Sequence, residues 1–373
     1  MRLLFLSILV GGFLLANVIK IGALVSATGP ASFLGDPELK TLKHYVKKIN
    51  DSGGVNGTKL ELIAYDTGAN PKKAVTFAKR LIYKDKVSVI IGPSTTGETM
   101  AIIPLVQKAK IPLLSMAGGV AIIEPVKSYV FKIVATDKMA CQKIMEDMKS
   151  KNITKIAMLS GSGGFGKSMR KQCKIVAKSM GIEILADEVY GKKDTDMSSQ
   201  LLKIKNTKGV QALLNPGFGQ GPAIVAKNFK QLGLKMPLYE SHGVASKKFI
   251  EIAGNAAEGI RLVAPPILVA NKLPDNSPIK KVCLEYKSEY EKSFKTPVSS
   301  FGGHAYDALF AVVDSIKRGA KTPKAIRDNL ETLKNFVGID GVVNMSPKNH
   351  LGLDIKDAMV NLVIKNGDWE IAK

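Results

Sequence analysis

An α/β fold made of two doubly wound parallel-sheet lobes is what this 373-residue sequence predicts, and three observations carry the expectation. Apolar runs of strand length alternate from end to end with amphipathic segments of helix length, the pattern of parallel strands joined by covering helices. The chain is long enough for two lobes of ordinary size, so two sheets fit better than one. Six loops that follow strand ends are rich in Gly and small hydroxyl residues, and such loops lead into helix N-termini where open parallel sheets bind ligands.

The chain opens on MRLLFLSILVGGFLLA, one Arg and then an apolar run of about fourteen residues, placed where an export signal sits and too short to cross a bilayer comfortably. Residues 1–17 read as a signal peptide. Leu three positions before the expected cut leaves an uncleaved anchor as an alternative. The body is then expected in the periplasm or elsewhere outside the cytoplasmic membrane. The strands follow in order as VIKIGALV, LELIAYD, VSVIIGP, IPLLSM, YVFKIV, KIAMLSG, EILADEVY, VQALLN, MPLYES and GIRLVAPP. Helices lie between them, among them ELKTLKHYVKKINDSGG, NPKKAVTFAKRLIYKD, GKSMRKQCKIVAKSMG and PAIVAKNFKQLG. Their ends are punctuated: Asn70 caps a helix with Pro71 in its first turn, and Gly181, Gly233 and Gly319 terminate others.

Lys and Arg outnumber Asp and Glu by 54 to 32, a net charge of +22. The lysines are scattered singly over helix faces, with no basic block and one Trp, which argues for a solvated basic surface rather than a nucleic-acid site. The summed field still favours anionic ligands. The three cysteines have no metal-ligand spacing, and no cofactor is called for. In an oxidising compartment Cys141 and Cys173, on successive helices, form the pair best placed to bridge; buried free thiols are the alternative.

One motif asks for a decision. GSGGFGKS, Gly161 to Ser168, satisfies the G-x-x-x-x-G-K-[ST] pattern of a phosphate-cradling loop, with a strand before it and a helix after it. A nucleotide site also needs a later strand ending in Asp for magnesium. LIAYD lies upstream and FAVVD reads as helix, so the nucleotide reading fails.

The remaining loops, SATGPASFLG, IGPSTTGETM, SMAGGVAI, NPGFGQGPA and ESHGVASKK, contain no paired acid and base and no supported nucleophile, so binding is expected and an enzyme is not. Together with IKIGALVSATGPASFLGDPELKTLKHYVKKINDSGGVNG, FIEIAGNAAEGIRL and GGHAYDALFAVVDSIKRG, in that order, they resemble the type I periplasmic binding proteins of the leucine/isoleucine/valine-binding family, over nearly the whole mature chain. The resemblance implies a solute receptor of an ABC importer, closing like a hinge over a small ligand and docking on a membrane permease as a monomer. It places lobe I at 18–137 plus 266–336 and lobe II at 138–265 plus 337–373, with crossings near Asp137, Pro265 and Phe336.

Residue by residue, it implies that Ser94 and Thr95 hold the ligand carboxylate at a helix start, with backbone from Ala117, Gly118 and Gly119; the family's Thr is absent at Gly119. Phe165 and Phe218 take aromatic places on lobe II, and Leu34, beside Phe33, stands where the family puts an aromatic over the ligand side chain. The family's ammonium-binding Glu is matched by His242, with Glu240 two residues earlier. A His is a poor partner for an ammonium. The expected ligand is therefore a small carboxylate without an α-amino group, aromatic or branched. A branched-chain amino acid held by an inward-turned Glu240 is the alternative, as is a ligand-sensing receptor built on the same lobes.

Overall fold

The computed structural model describes residues 18–372, so the expected signal peptide lies outside the described residues. The first sheet holds β1 (Val18–Val25), β2 (Lys59–Asp66), β3 (Val89–Ile91), β4 (Leu113–Ser115) and β5 (Val130–Lys132) in the order β2-β1-β3-β4-β5. All its pairings are parallel. The connecting helices are α1 (Ser32–Asp51), α2 (Pro71–Lys79) and α3 (Thr96–Ala109). Ile21, Leu24, Ile90, Ile91, Leu113 and Phe131 are fully buried, as strands covered on both faces require.

The chain then enters the second lobe through α4 (Asp137–Ser150), β6 (Lys155–Gly161), α5 (Gly164–Met180), β7 (Glu183–Tyr190), α6 (Ser198–Asn206), β8 (Ala212–Asn215), α7 (Gln220–Gln231), β9 (Leu238–Glu240), α8 (Lys247–Ala253) and β10 (Arg261–Ala264). It returns to the first lobe with α9 (Lys280–Phe294), α10 (Ser300–Lys317) and α11 (Pro323–Glu331), and α10 packs along α1. After the short ribbon β11 (Phe336–Val337) and β12 (Val342–Val343) and the one-turn α12 (Ile355–Ala358), it comes back to the second sheet as β13 (Val360–Lys365) and β14 (Asp368–Ile371). The second sheet runs β14-β13-β10-β9-β8-β6-β7.

All ten strands expected from sequence are present, and one edge departs from the expectation of purely parallel sheets. β13 pairs antiparallel with β10, and β14 pairs antiparallel with β13. The β13–β14 pairing follows from the Asn366-Gly367 turn, whose φ values of 52° and 69° suit a two-residue hairpin; a parallel return would need a full crossover. Asn70 caps α2, its side chain accepting from the Lys72 and Lys73 amides, and Gly181 ends α5 in the left-handed region. Cys141 on α4 and Cys173 on α5 form a disulfide with 5.0 Å between Cα atoms, while Cys283 is a buried free thiol. No helix among the described residues is long and apolar enough to cross a membrane.

Candidate functional site

The carboxyl ends of both sheets face each other across a cleft, and the loops leaving them enclose a space of ≈ 490 Å³, mouth included. Leu34, Ser94, Thr95 and Gly118 wall it from the first lobe, and Phe165, Phe218 and His242 from the second. Two residues expected there stand behind the wall instead. Ala117 is buried with its N–H on Ser115 Oγ (3.2 Å), and the Gly119 N–H donates to Thr96 Oγ1 (3.1 Å). Thr96, Met116, Phe301 and His304 join the wall without having been expected.

The first-lobe rim is tied to two buried carboxyl groups. Ser94 Oγ accepts the Ser26 N–H (2.9 Å) and shares a hydrogen bond with Glu38 Oε2 on α1. Thr95 Oγ1 and Ser26 Oγ both donate to Glu98 Oε2 on α3, at 2.6 and 2.9 Å. Burial holds the Glu38 carboxyl well above the usual carboxylate range; the Ser94 hydrogen bond opposes this and the nearby Glu98 adds to it. Thr95 stands at the N-cap of α3, yet its hydroxyl makes no bond to the first amides of that helix. The first amides of α3 have no acceptor within their own helix, so an anion can be met there by main-chain N–H groups.

Aromatic rings close the other sides. Phe165 meets His242 edge-on at 5.2 Å and Phe218 at 6.0 Å, and Phe218 reaches across to Phe33 at 6.4 Å, which packs on Phe301 at 5.6 Å. The lobes approach closely at Gly118, where a Cβ would stand 2.7 Å from Phe165 Cε2 and 2.8 Å from His242 Nε2.

His242 is buried at the start of a short turn after β9, and neither ring nitrogen has a hydrogen-bond partner among the described residues. Burial, then the nearby Lys132 and His304, push its pKa from 6.5 down to about 3. The neutral ring offers one donor and one acceptor. Its share of stability is present above about pH 6.5 and is lost as the pH falls toward 3, because the unfolded ring takes up a proton that the folded one refuses. Nitrogen NMR of the imidazoles should show one His that does not titrate between about pH 5 and 8 and that vanishes in His242→Gln; a midpoint in that window would contradict the burial argument.

Glu240 does not turn inward. It sits on β9 opposite Asn215 and Leu262, fully buried, with no partner for either oxygen, and burial raises its pKa well above the usual range. Lys132 lies behind the wall, its Nζ donating to the carbonyls of the lining residues Val134 (2.7 Å) and Ala135 (3.1 Å). Burial lowers its pKa to about 7 against the pull of Asp137 and Asp340.

The phosphate-loop motif is put to other use. The Ser168 hydroxyl, which would reach for magnesium, donates to Asp137 at the first crossing, and Asp137 also accepts the Val120 N–H at 2.9 Å. Gly166 allows α5 to pack on its own strand, since a Cβ there would lie 2.1 Å from the Gly161 carbonyl oxygen. Strand β8, beside β6, ends in Asn215 rather than Asp. Beyond Phe165 and Phe218 the cleft continues into a second space lined in part by Lys192 and Lys193.

Known proteins place this architecture. The chain is 24% identical over 98% of its length to the leucine-, isoleucine-, valine-, threonine- and alanine-binding protein of Pseudomonas aeruginosa, 95% of which is covered. Its fold superposes on an extracellular ligand-binding receptor from Rhodopseudomonas palustris HaA2 with a TM-score of 0.88 and 29% identity, over 95% of this chain and 99% of that one. A branched-chain amino acid transporter substrate-binding protein from Streptococcus pneumoniae, solved with isoleucine, shares the fold at a TM-score of 0.85 and 24% identity, over 95% and 98% of the two chains. The profile of the periplasmic binding proteins matches residues 18–355, and the chain belongs to that family of extracytoplasmic solute receptors.

Proposed function

We propose that this receptor binds a small carboxylate without an α-ammonium group, aromatic or branched, and delivers it to the permease of an ABC importer. One observation carries the reading: among the described residues no Asp or Glu lines the inner cavity, and the place of an ammonium anchor is held by the neutral His242. An ammonium there would lose its hydration without a charged partner, which is strongly unfavourable. A carboxylate would be met by the α3 amides and by an imidazole N–H, in a cleft walled by Phe165, Phe218, Phe301 and Leu34. Lys192 and Lys193 would favour the approach of an anion.

Lobe boundaries near Asp137, Pro265 and Phe336 belong to this reading, as do the cleaved signal peptide and a monomeric receptor. Ligand favours closure only through its higher affinity for the closed form. The names of the relatives support a second reading, a receptor for branched-chain amino acids. Calorimetry with benzoate, 4-methyl-2-oxopentanoate and leucine separates the two. Binding of benzoate or the 2-oxo acid at least about tenfold tighter than leucine is expected, a difference of about 1.4 kcal/mol. Tight leucine binding with no affinity for the other two would replace the first reading with the second.

A further inference from the structure

Ser94 faces the cavity, yet its hydrogen bonds run inward. Its oxygen accepts the Ser26 amide and meets the Glu38 carboxyl, so with Glu38 ionised the hydroxyl proton must point away from any ligand. A serine held that way presents only a lone pair to an anion. Glu38, however, is an unfavourable place for a charge. It is fully buried, its Oε1 has no partner, and it shares the interior with Glu98, which already accepts the Ser26 and Thr95 hydroxyls and has an orphan Oε1 of its own. The other groups around the two carboxyls are hydroxyls: Thr67 hydrogen-bonds Ser26 at 3.3 Å, and no Lys, Arg or His among the described residues bonds to either. Two uncompensated carboxylates in contact with one interior do not both ionise.

We propose that Glu38 is a positioning residue that keeps a proton and hydrogen-bonds through it to Ser94 Oγ, turning the Ser94 hydroxyl outward as the donor for the ligand's carboxylate. The heavy-atom geometry serves either direction of the bond. Ser94 Oγ then accepts twice, from the Ser26 N–H and the Glu38 O–H, and its own proton is released toward the cavity. No bond is made or broken; the proton stays on Glu38 throughout. The inference rests on the carboxylate in the proposed ligand and not on the missing ammonium, so it applies equally if the ligand proves to be an amino acid.

Infrared difference spectra of the unliganded protein against Glu38→Gln at neutral pH should show the carbonyl stretch of an un-ionised carboxylic acid that the variant lacks. Benzoate titrations should show Ser94→Ala weakened about 10- to 100-fold, as for a lost hydrogen bond to a charged group. Glu38→Leu, which neither donates nor draws the Ser94 proton inward, should be weakened less than Ser94→Ala, and Glu38→Gln, whose amide can donate, should stay within about threefold of the native protein. Absence of the band, or Glu38→Gln as weak as Ser94→Ala, overturns the inference and leaves the carboxylate reading standing. If leucine binds instead of benzoate, the same variants are read with leucine. Failure of every carboxylate overturns both.

Discussion

Gly118→Ala should yield a folded protein that closes less readily on its ligand. The new methyl group would stand 2.7 Å from Phe165 and 2.8 Å from His242, closer than packed atoms approach, and both neighbours belong to the opposite lobe. Overpacking of this kind costs about 1–3 kcal/mol. The penalty falls on the closed form alone, since opening the cleft removes the clash, so benzoate affinity should drop about 10- to 100-fold while the unliganded melting temperature stays close to native. Calorimetry and a thermal melt on the same preparation check this. A large loss of unliganded stability would mean that Gly118 is needed for the fold and not for closure.

Removing the disulfide should have the largest effect on stability. Cys141 and Cys173 lie on neighbouring helices of the second lobe, fully buried, with a sequence separation of 32. Cross-linking a loop of that length restricts the unfolded chain by about 3–4 kcal/mol. The double variant Cys141→Ser/Cys173→Ser should unfold in urea with a free energy lower by roughly that amount, and benzoate affinity should change little, because neither helix interior reaches the cavity. Equal midpoints for native and variant protein would show that the cross-link adds nothing under those conditions.

Much of this was legible because it is periodic or positional. Ten strands announced themselves as apolar runs, and the loops after them were found by where open sheets must bind; the resemblance to a known family then singled out Leu34, Ser94, Thr95, Gly118, Phe165, Phe218 and His242 within those loops, and all seven wall the cavity. What escaped depends on long-range placement. Glu38 reads as an ordinary polar position early in an amphipathic helix, and only the packing of α1 against the β3 loop buries it under Ser94. Phe301 and His304 sit in a helix start that meets the cleft only after the chain has crossed back from the second lobe. Ala117 and Gly119 flank Gly118, and when the chain turns there only the middle residue faces the ligand space. The terminal hairpin was marked locally by Asn366-Gly367, a turn signal between two short apolar runs.

The most direct test is a crystal structure of the protein grown with benzoate. The ring should lie between Phe165 and Phe218, with its carboxylate on the first amides of α3 and within hydrogen-bond reach of Ser94 and His242. A carboxylate bound elsewhere in a closed cleft, or a co-purified amino acid whose ammonium rests on Glu240, would contradict it.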